Sequence, residues 1–253
     1  MAPDRDRVQR RPGLGRRHFL RGLALLGTVL ALPSQRLEAA TLPLEQRLQL
    51  CQPPGDPLQE LLRRNREFAA VWAEADRSGD PLLRAQLLQE HWPLHCALRP
   101  RALAQGQRPW AAVLACADSR VAPDWIFASG SGELFEVRTA GNTASDAGVA
   151  SLEYAVAELA VPLILVLGHS DCGAVAAARA SRPLTPLLEE LVLPIRSALP
   201  PRASLAEAVA AHARAAAGAL PQRSALLAEA VAGGRLAIQP ACLDIGSGQV
   251  SLL

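Results

Sequence analysis

The sequence predicts an α/β fold: a mostly parallel central β-sheet flanked by helices, with an N-terminal helical arm. Three observations predict it. Trp110 to Ala115 and Pro162 to Leu167 are near-continuous apolar runs, which suit parallel strands covered on both faces. Between such runs the apolar residues fall at helical spacing, giving a strand–helix–strand rhythm. And 253 residues, half of them apolar, suffice for one substantial core.

Taken in order, the first 40 residues differ from the rest. Eight Arg face only Asp4, Asp6 and Glu38 there, so the remainder of a chain of net charge +2 is acidic. Arg16-Arg17-His18-Phe19-Leu20-Arg21 looks like a twin-arginine export signal. The apolar run from Gly22 to Leu32 is shorter than the roughly 20 residues a bilayer span needs and fits a signal's apolar region. Small residues around Glu38 to Thr41 offer a cleavage position. Residues 1–40 are therefore expected to be a signal segment read by the twin-arginine export machinery. The product would be soluble after cleavage, in a periplasm or an equivalent extracytoplasmic compartment. Residues 41–253 would be a single domain, with 41–106 its linker and helical arm.

Pro43 and Pro53-Pro54 mark linker. Leu58, Leu61, Leu62, Phe68 and Val71 recur at helical spacing up to Trp72, and Leu82 to His91 gives a second helix. After the first strand comes a shorter one, Leu134 to Val137, then a helix over Asp146 to Ala160. The second long strand follows. Leu205 to Ala219 and Ser224 to Val231 read as helices, the last stopped by Gly233-Gly234. Arg235 to Ala241 and Gln249 to Leu253 read as short strands around an Asp244–Gly248 turn. No internal repeat is evident.

Two motifs stand at strand ends: Cys116-Ala117-Asp118-Ser119-Arg120, and His169-Ser170-Asp171-Cys172. Ligand sites of open α/β sheets gather at the carboxyl ends of strands. Two thiolates and an imidazole form a zinc-type ligand set, and three protein ligands leave a fourth position for water, as catalytic sites do. Were Gly168 to open a helix, the three-residue spacing would put His169 and Cys172 on one face of its first turn. Asp118 suits a carboxylate that accepts a hydrogen bond from metal-bound water, held ionised by a bidentate Arg120. Gly173 would let the backbone approach the site closely. Neither motif is specific alone; the pair, 53 positions apart from Cys116 to His169, is much more so.

Charge excludes a nucleic-acid binder on electrostatic grounds. All 26 basic residues are Arg. Five scattered cysteines do not read as a disulfide framework, and Cys51, Cys96 and Cys242 are expected to be ordinary small apolar residues.

With these residues in hand, the chain resembles the β-class carbonic anhydrases from about Leu61 to Leu253. The match is tightest in C-A-D-S-R-V, G-E-L-F-E-V-R-T-A-G-N, S-L-E-Y-A-V and L-G-H-S-D-C-G-A-V, with weaker agreement in N-R-E-F, G-Q-x-P and the closing G-R-L-A-I…L-D-I-G-S-G-Q-V-S-L-L. The resemblance implies zinc held by Cys116, His169 and Cys172. It makes Asp118 and Arg120 catalytic, and implies reversible hydration of carbon dioxide to bicarbonate and a proton through zinc-bound hydroxide. It gives Gln107, Phe135 and Tyr154 as a substrate pocket shared between subunits, hence a homodimer or higher homo-oligomer. On the residues alone, Tyr154 also reads as helix packing and Gln107 as a surface loop residue. His91, His95 and His212 are proton-carrier candidates only because they titrate near neutrality, and a surface or helix-packing role fits each better. Departures are Ala117, where the family often has Ser, and a longer Asp76–Pro100 segment. Other readings are hydrolysis of carbon disulfide or carbonyl sulfide at the same site, a silent zinc-binding interaction protein, and a redox dithiol, which leaves His169 without a role.

Overall fold

The structure, a computed structural model, describes residues 43–49, 51–91 and 100–253. The expected signal segment, Trp92, His95 and Cys96 lie outside the described residues. The helices are α1 (Leu44–Gln49), α2 (Pro57–Ser78), α3 (Pro81–His91), α4 (Pro100–Leu103), α5 (Pro123–Ile126), α6 (Asp146–Ala157), α7 (Gly173–Arg179), α8 (Pro186–Ser197), α9 (Leu205–Arg223) and α10 (Ala225–Ala232). The strands are β1 (Ala111–Cys116), β2 (Leu134–Thr139), β3 (Leu163–His169), β4 (Ala237–Leu243) and β5 (Val250–Leu252).

The five strands form one sheet in the order β2-β1-β3-β4-β5. β2, β1, β3 and β4 are mutually parallel, and only β5 runs antiparallel, to β4. Every residue of β1 and β3 is buried. Alternation divides them between two cores. Ala112, Leu114, Ile164 and Val166 meet Leu152 of α6, Leu220 of α9 and Leu227 of α10. Val113, Ala115, Leu165 and Leu167 meet Leu61 and Phe68 of α2 with Trp110 and Phe127. The unbroken apolar runs follow directly: neither face of the central strands touches water.

Local signals fix the helix ends. Asp56 caps α2, its carboxylate accepting from Gln59 N–H at 2.9 Å, with Pro57 at the first helical position and Gly79 left-handed after the last. Ser204 and Glu207 form a reciprocal capping box at the start of α9. At Gly168 a Cβ would lie 3.1 Å from Val209 Cγ1 and 3.3 Å from Ala213 Cβ, so the glycine lets α9 seat against β3.

The arm divides in character. The first half of α2 is anchored by buried Arg64 and Asn65. Arg64 pairs with Glu60 and Glu133 and lies over the Trp110 ring. Asn65 donates to Gly248 O at 2.9 Å and accepts from Val250 N–H at 2.8 Å, tying α2 to β5. α3 buries none of its residues.

Two expectations are corrected, and one helix was unforeseen. The stretch read as linker contains helix α1. α8 had no expectation at all, because Pro194 interrupts its pattern, yet it buries Val192 and Ile195. Cys51 is not a free thiol: it is disulfide-bonded, whereas Cys116, Cys172 and Cys242 are free.

Candidate metal centre

β1 ends on Cys116 and β3 on His169, and the two strands are neighbours in the sheet. The chain then turns through Ser170 and Asp171, which is left-handed at φ 53°, and delivers Cys172 as the residue capping α7. So His169 and Cys172 do not share a helical turn, as the spacing suggested. One is the last residue of a strand and the other precedes a helix, and the left-handed Asp171 folds the second back onto the first.

The ligand atoms of Cys116, His169 and Cys172 lie within 4.8 Å of one another, and all three residues are buried. A tetrahedral zinc holding sulfur at about 2.3 Å and nitrogen at about 2.0 Å keeps its donors at roughly this spacing. The imidazole is already oriented for such a role. Its Nδ1 lies 2.9 Å from Ser170 O, to which it donates, so Nε2 carries the lone pair. That Nε2 is buried with no hydrogen-bond partner. A buried imidazole nitrogen that faces two sulfurs is a donor set fitted to a borderline-soft divalent ion.

The two thiols hold their protons unequally. Cys172 donates to Cys116, which with His169 and the Gly141 N–H brings Cys116 down to about 4 against the opposing effect of burial. The same hydrogen bond, with burial, pushes Cys172 up. Burial pulls His169 down, but the Cys116 thiolate, the Ser170 carbonyl and Asp118 outweigh it and raise it.

Asp118 stands at the rim. Arg120 grips it in a fork, Nε to Oδ1 at 3.0 Å and Nη2 to Oδ2 at 2.8 Å, and the Arg120 N–H also donates to Oδ1 at 2.9 Å. The guanidinium beside it holds the carboxyl well below the usual carboxylate range. Asp118 Oδ2 is 4.0 Å from His169 Nε2, so the carboxylate borders the ligand group. Arg120 also donates to Asp171 O at 3.2 Å, joining the two motifs.

Sequence reasoning missed two supports, and the structure sorts a third residue that it had left with a helix-packing role. Arg138 of β2 donates to Cys116 O at 3.3 Å, Asp118 O at 2.8 Å and Val121 O at 2.6 Å, and so holds the loop that carries both site residues. Its only sequence signal was its place in V-R-T-A-G-N. Gly141 donates to Cys116 Sγ at 3.1 Å. His212, considered as a proton carrier, is buried and pushed below its ordinary value by that burial, which removes it from proton traffic with solvent.

Away from the centre, Phe135 pairs with Ala112 of β1, four positions before Cys116 along the strand, and meets Tyr154 with ring centroids 6.2 Å apart. Tyr154 is 49% exposed, with one side of its ring against Phe135. Gln107 is exposed and makes no hydrogen bond to the site among the described residues. Gly173 is exposed, and a Cβ there would meet nothing within 4 Å, so no close approach within this chain requires the glycine.

A carbonic anhydrase family model matches residues 111–250, a span that holds every one of these features except the arm and Gln107. Carbonic anhydrase 2 of Mycobacterium tuberculosis (strain ATCC 25618 / H37Rv) is 40% identical over 159 residues, 59% of this chain and 77% of that protein. Among solved structures, the β-carbonic anhydrase CafA of Aspergillus fumigatus is similar at 27% identity and a TM-score of 0.57, over 71% of this chain and 89% of its own. A tetrameric β-carbonic anhydrase of Sordaria macrospora is similar at 26% identity and a TM-score of 0.56, over 60% and 84%. By matched family, shared sequence and shared sheet, the chain belongs to the β-class carbonic anhydrases.

Proposed function

We propose that this chain catalyses the reversible hydration of carbon dioxide to bicarbonate and a proton, with zinc held by Cys116, His169 and Cys172. The observation that carries the reading is the buried, unpartnered Nε2 of His169 grouped with two thiol sulfurs. Bound zinc supplies the chemistry by lowering the pKa of a coordinated water to about 7, which provides a strong nucleophile near neutral pH.

The chain's own residues do the rest. Asp118 stays ionised under Arg120 and can only accept hydrogen bonds, so it would orient the nucleophile by accepting a hydrogen bond from it. Arg138 holds the Cys116–Val121 backbone in place, which keeps Asp118 at a fixed distance from the ligand group. Phe135 and Tyr154 stand together toward the start of β2, level with Ala112 rather than Cys116, and would lend their apolar surface to the pocket of a second copy. Stopped-flow hydration of carbon dioxide tests the roles: Asp118→Asn is expected to lose about 100-fold in rate, on the scale of a positioned proton acceptor, while retaining its metal. A variant as fast as the parent removes Asp118 from the mechanism.

Assembly and location complete the reading. Tyr154 is exposed and Phe135 half-buried at the β2 side of the sheet, an edge without a neighbouring strand among the described residues, which supports a homo-oligomer in which a second copy packs there and takes these side chains, with Gln107, into its pocket. The Arg16-Arg17 motif supports twin-arginine export. A disulfide-bonded Cys51 fits the oxidising compartment such export reaches. The twin-arginine route carries folded proteins, so metal loaded before export would shield Cys116 and Cys172 from oxidation.

A further inference from the structure

One buried histidine has no part in the chemistry above. His212, on α9, is 2% exposed. Its Nε2 lies 2.8 Å from Gly141 O, and its Nδ1 is buried without a partner. A carbonyl only accepts, so the proton sits on Nε2 and Nδ1 is left with an unused lone pair. A ring so placed costs desolvation that an apolar side chain of the same size would avoid. What it secures is the Gly141 carbonyl.

Gly141 is tightly confined. Its φ is +70°, and a Cβ would stand 2.8 Å from Ile195 Cδ1 and 3.0 Å from Ala174 Cβ. Only glycine takes this conformation in this space, and glycine is also the residue freest to leave it. Its N–H donates to Cys116 Sγ at 3.1 Å, so the residue is held by the sulfur at one end and by His212 at the other. Thr139 and Thr143 hydroxyls stitch the same turn, donating to Thr143 O and Ala140 O, but neither reaches Gly141.

We propose that His212 is a positioning residue of the metal centre: by holding the Gly141 carbonyl it aims the Gly141 N–H at Cys116 Sγ, and so sets the charge on that sulfur and the grip of the site on its metal. The proposal rests on the metal reading of Cys116, His169 and Cys172. Partners one step removed from a ligand typically contribute 10–100-fold in metal affinity.

The test compares the parent with His212→Phe, which keeps a ring and loses the donor, and His212→Gln, whose amide N–H can reach the carbonyl. Zinc affinity by chelator competition is expected to fall about 10–100-fold in His212→Phe and to recover most of that loss in His212→Gln. In the cobalt-substituted proteins the thiolate-to-metal charge-transfer band is expected to move in His212→Phe and return in His212→Gln. Should His212→Phe fail to fold, His212→Asn, polar but too short to reach the carbonyl, is expected to show the same loss. A folded His212→Phe or His212→Asn with parental affinity and spectrum overturns the proposal and leaves the metal reading standing. A parent protein that binds neither ion through thiolate overturns both.

Discussion

The carboxyls of Glu136 on β2 and Asp124 on α5 show how a single residue's surroundings become a measurable property. Glu136 accepts from the Asp124 N–H at 3.1 Å, and the two side chains share a hydrogen bond. Burial, then the charge of Asp124, push Glu136 up to about 7, and burial raises Asp124 as well. The unfolded chain releases the Glu136 proton near 4.5, while the folded chain keeps it until about 7. Across that window the folded state binds more protons, so stability falls as pH rises and the full penalty is present above about 7. Glu136→Gln removes the titration and keeps a hydrogen-bond donor for Asp124. Its melting temperature relative to the parent is expected to rise between pH 5 and pH 7.5 and then level off, by an amount that solvent screening moderates. A constant difference across that range would show that the pair carries no such linkage. Asp118 presents the opposite case: its charge is favoured by Arg120, so it stays ionised throughout the same window.

Elements explain which parts of the site were legible in the sequence. The ends of β1 and β3 were readable because doubly covered parallel strands are apolar throughout, so each run stops where the chain leaves the core, at Cys116 and His169. The route from His169 to Cys172 was not, because a helical turn and a tight turn with a left-handed Asp171 both bring positions three apart together. Arg138 could not be inferred either, since its partners are backbone carbonyls across a parallel strand pair, and carbonyls leave no mark on sequence. The 3-10 turn at Ala140–Asn142 and helix α8 were hidden for similar reasons, one being too short for periodicity and the other carrying Pro194. The arm illustrates tertiary anchoring beyond periodicity. Asn65 sits on the apolar side of α2 and reads as an error there, yet it pairs with both Gly248 O and Val250 N–H. Asn65→Ala leaves two buried backbone groups without partners and is expected to destabilise the fold by about 2 kcal/mol, measured by urea unfolding. A change below about 0.5 kcal/mol would mean that water or the β5 turn replaces those bonds without loss.

At the scale of the whole molecule the chain is two sequences joined. A strongly basic first segment precedes an acidic body, and among the described residues one sheet and three apolar clusters lie in that body. The export reading makes the leader an address, and its test is direct. Arg16→Lys with Arg17→Lys is expected to keep the full-length protein inside the cell, followed by fractionation and immunoblotting. Unchanged export would remove the twin-arginine route from the account. The body's architecture concentrates function at one end of the sheet, where β1, β2 and β3 finish, and the Arg120–Asp171, Arg138–Asp118 and Gly141–Cys116 hydrogen bonds draw three separate loops into one site. The central claim is that this convergence makes a zinc-dependent hydratase of carbon dioxide. Its most direct test follows carbon dioxide hydration by stopped flow as metal is stripped by chelation and zinc is returned, for the parent and for Cys172→Ser. The account predicts that activity disappears with the metal, returns with about one zinc per chain as a three-ligand site requires, and is absent from Cys172→Ser at every zinc level. Hydration that survives either metal removal or the loss of Cys172 would contradict it.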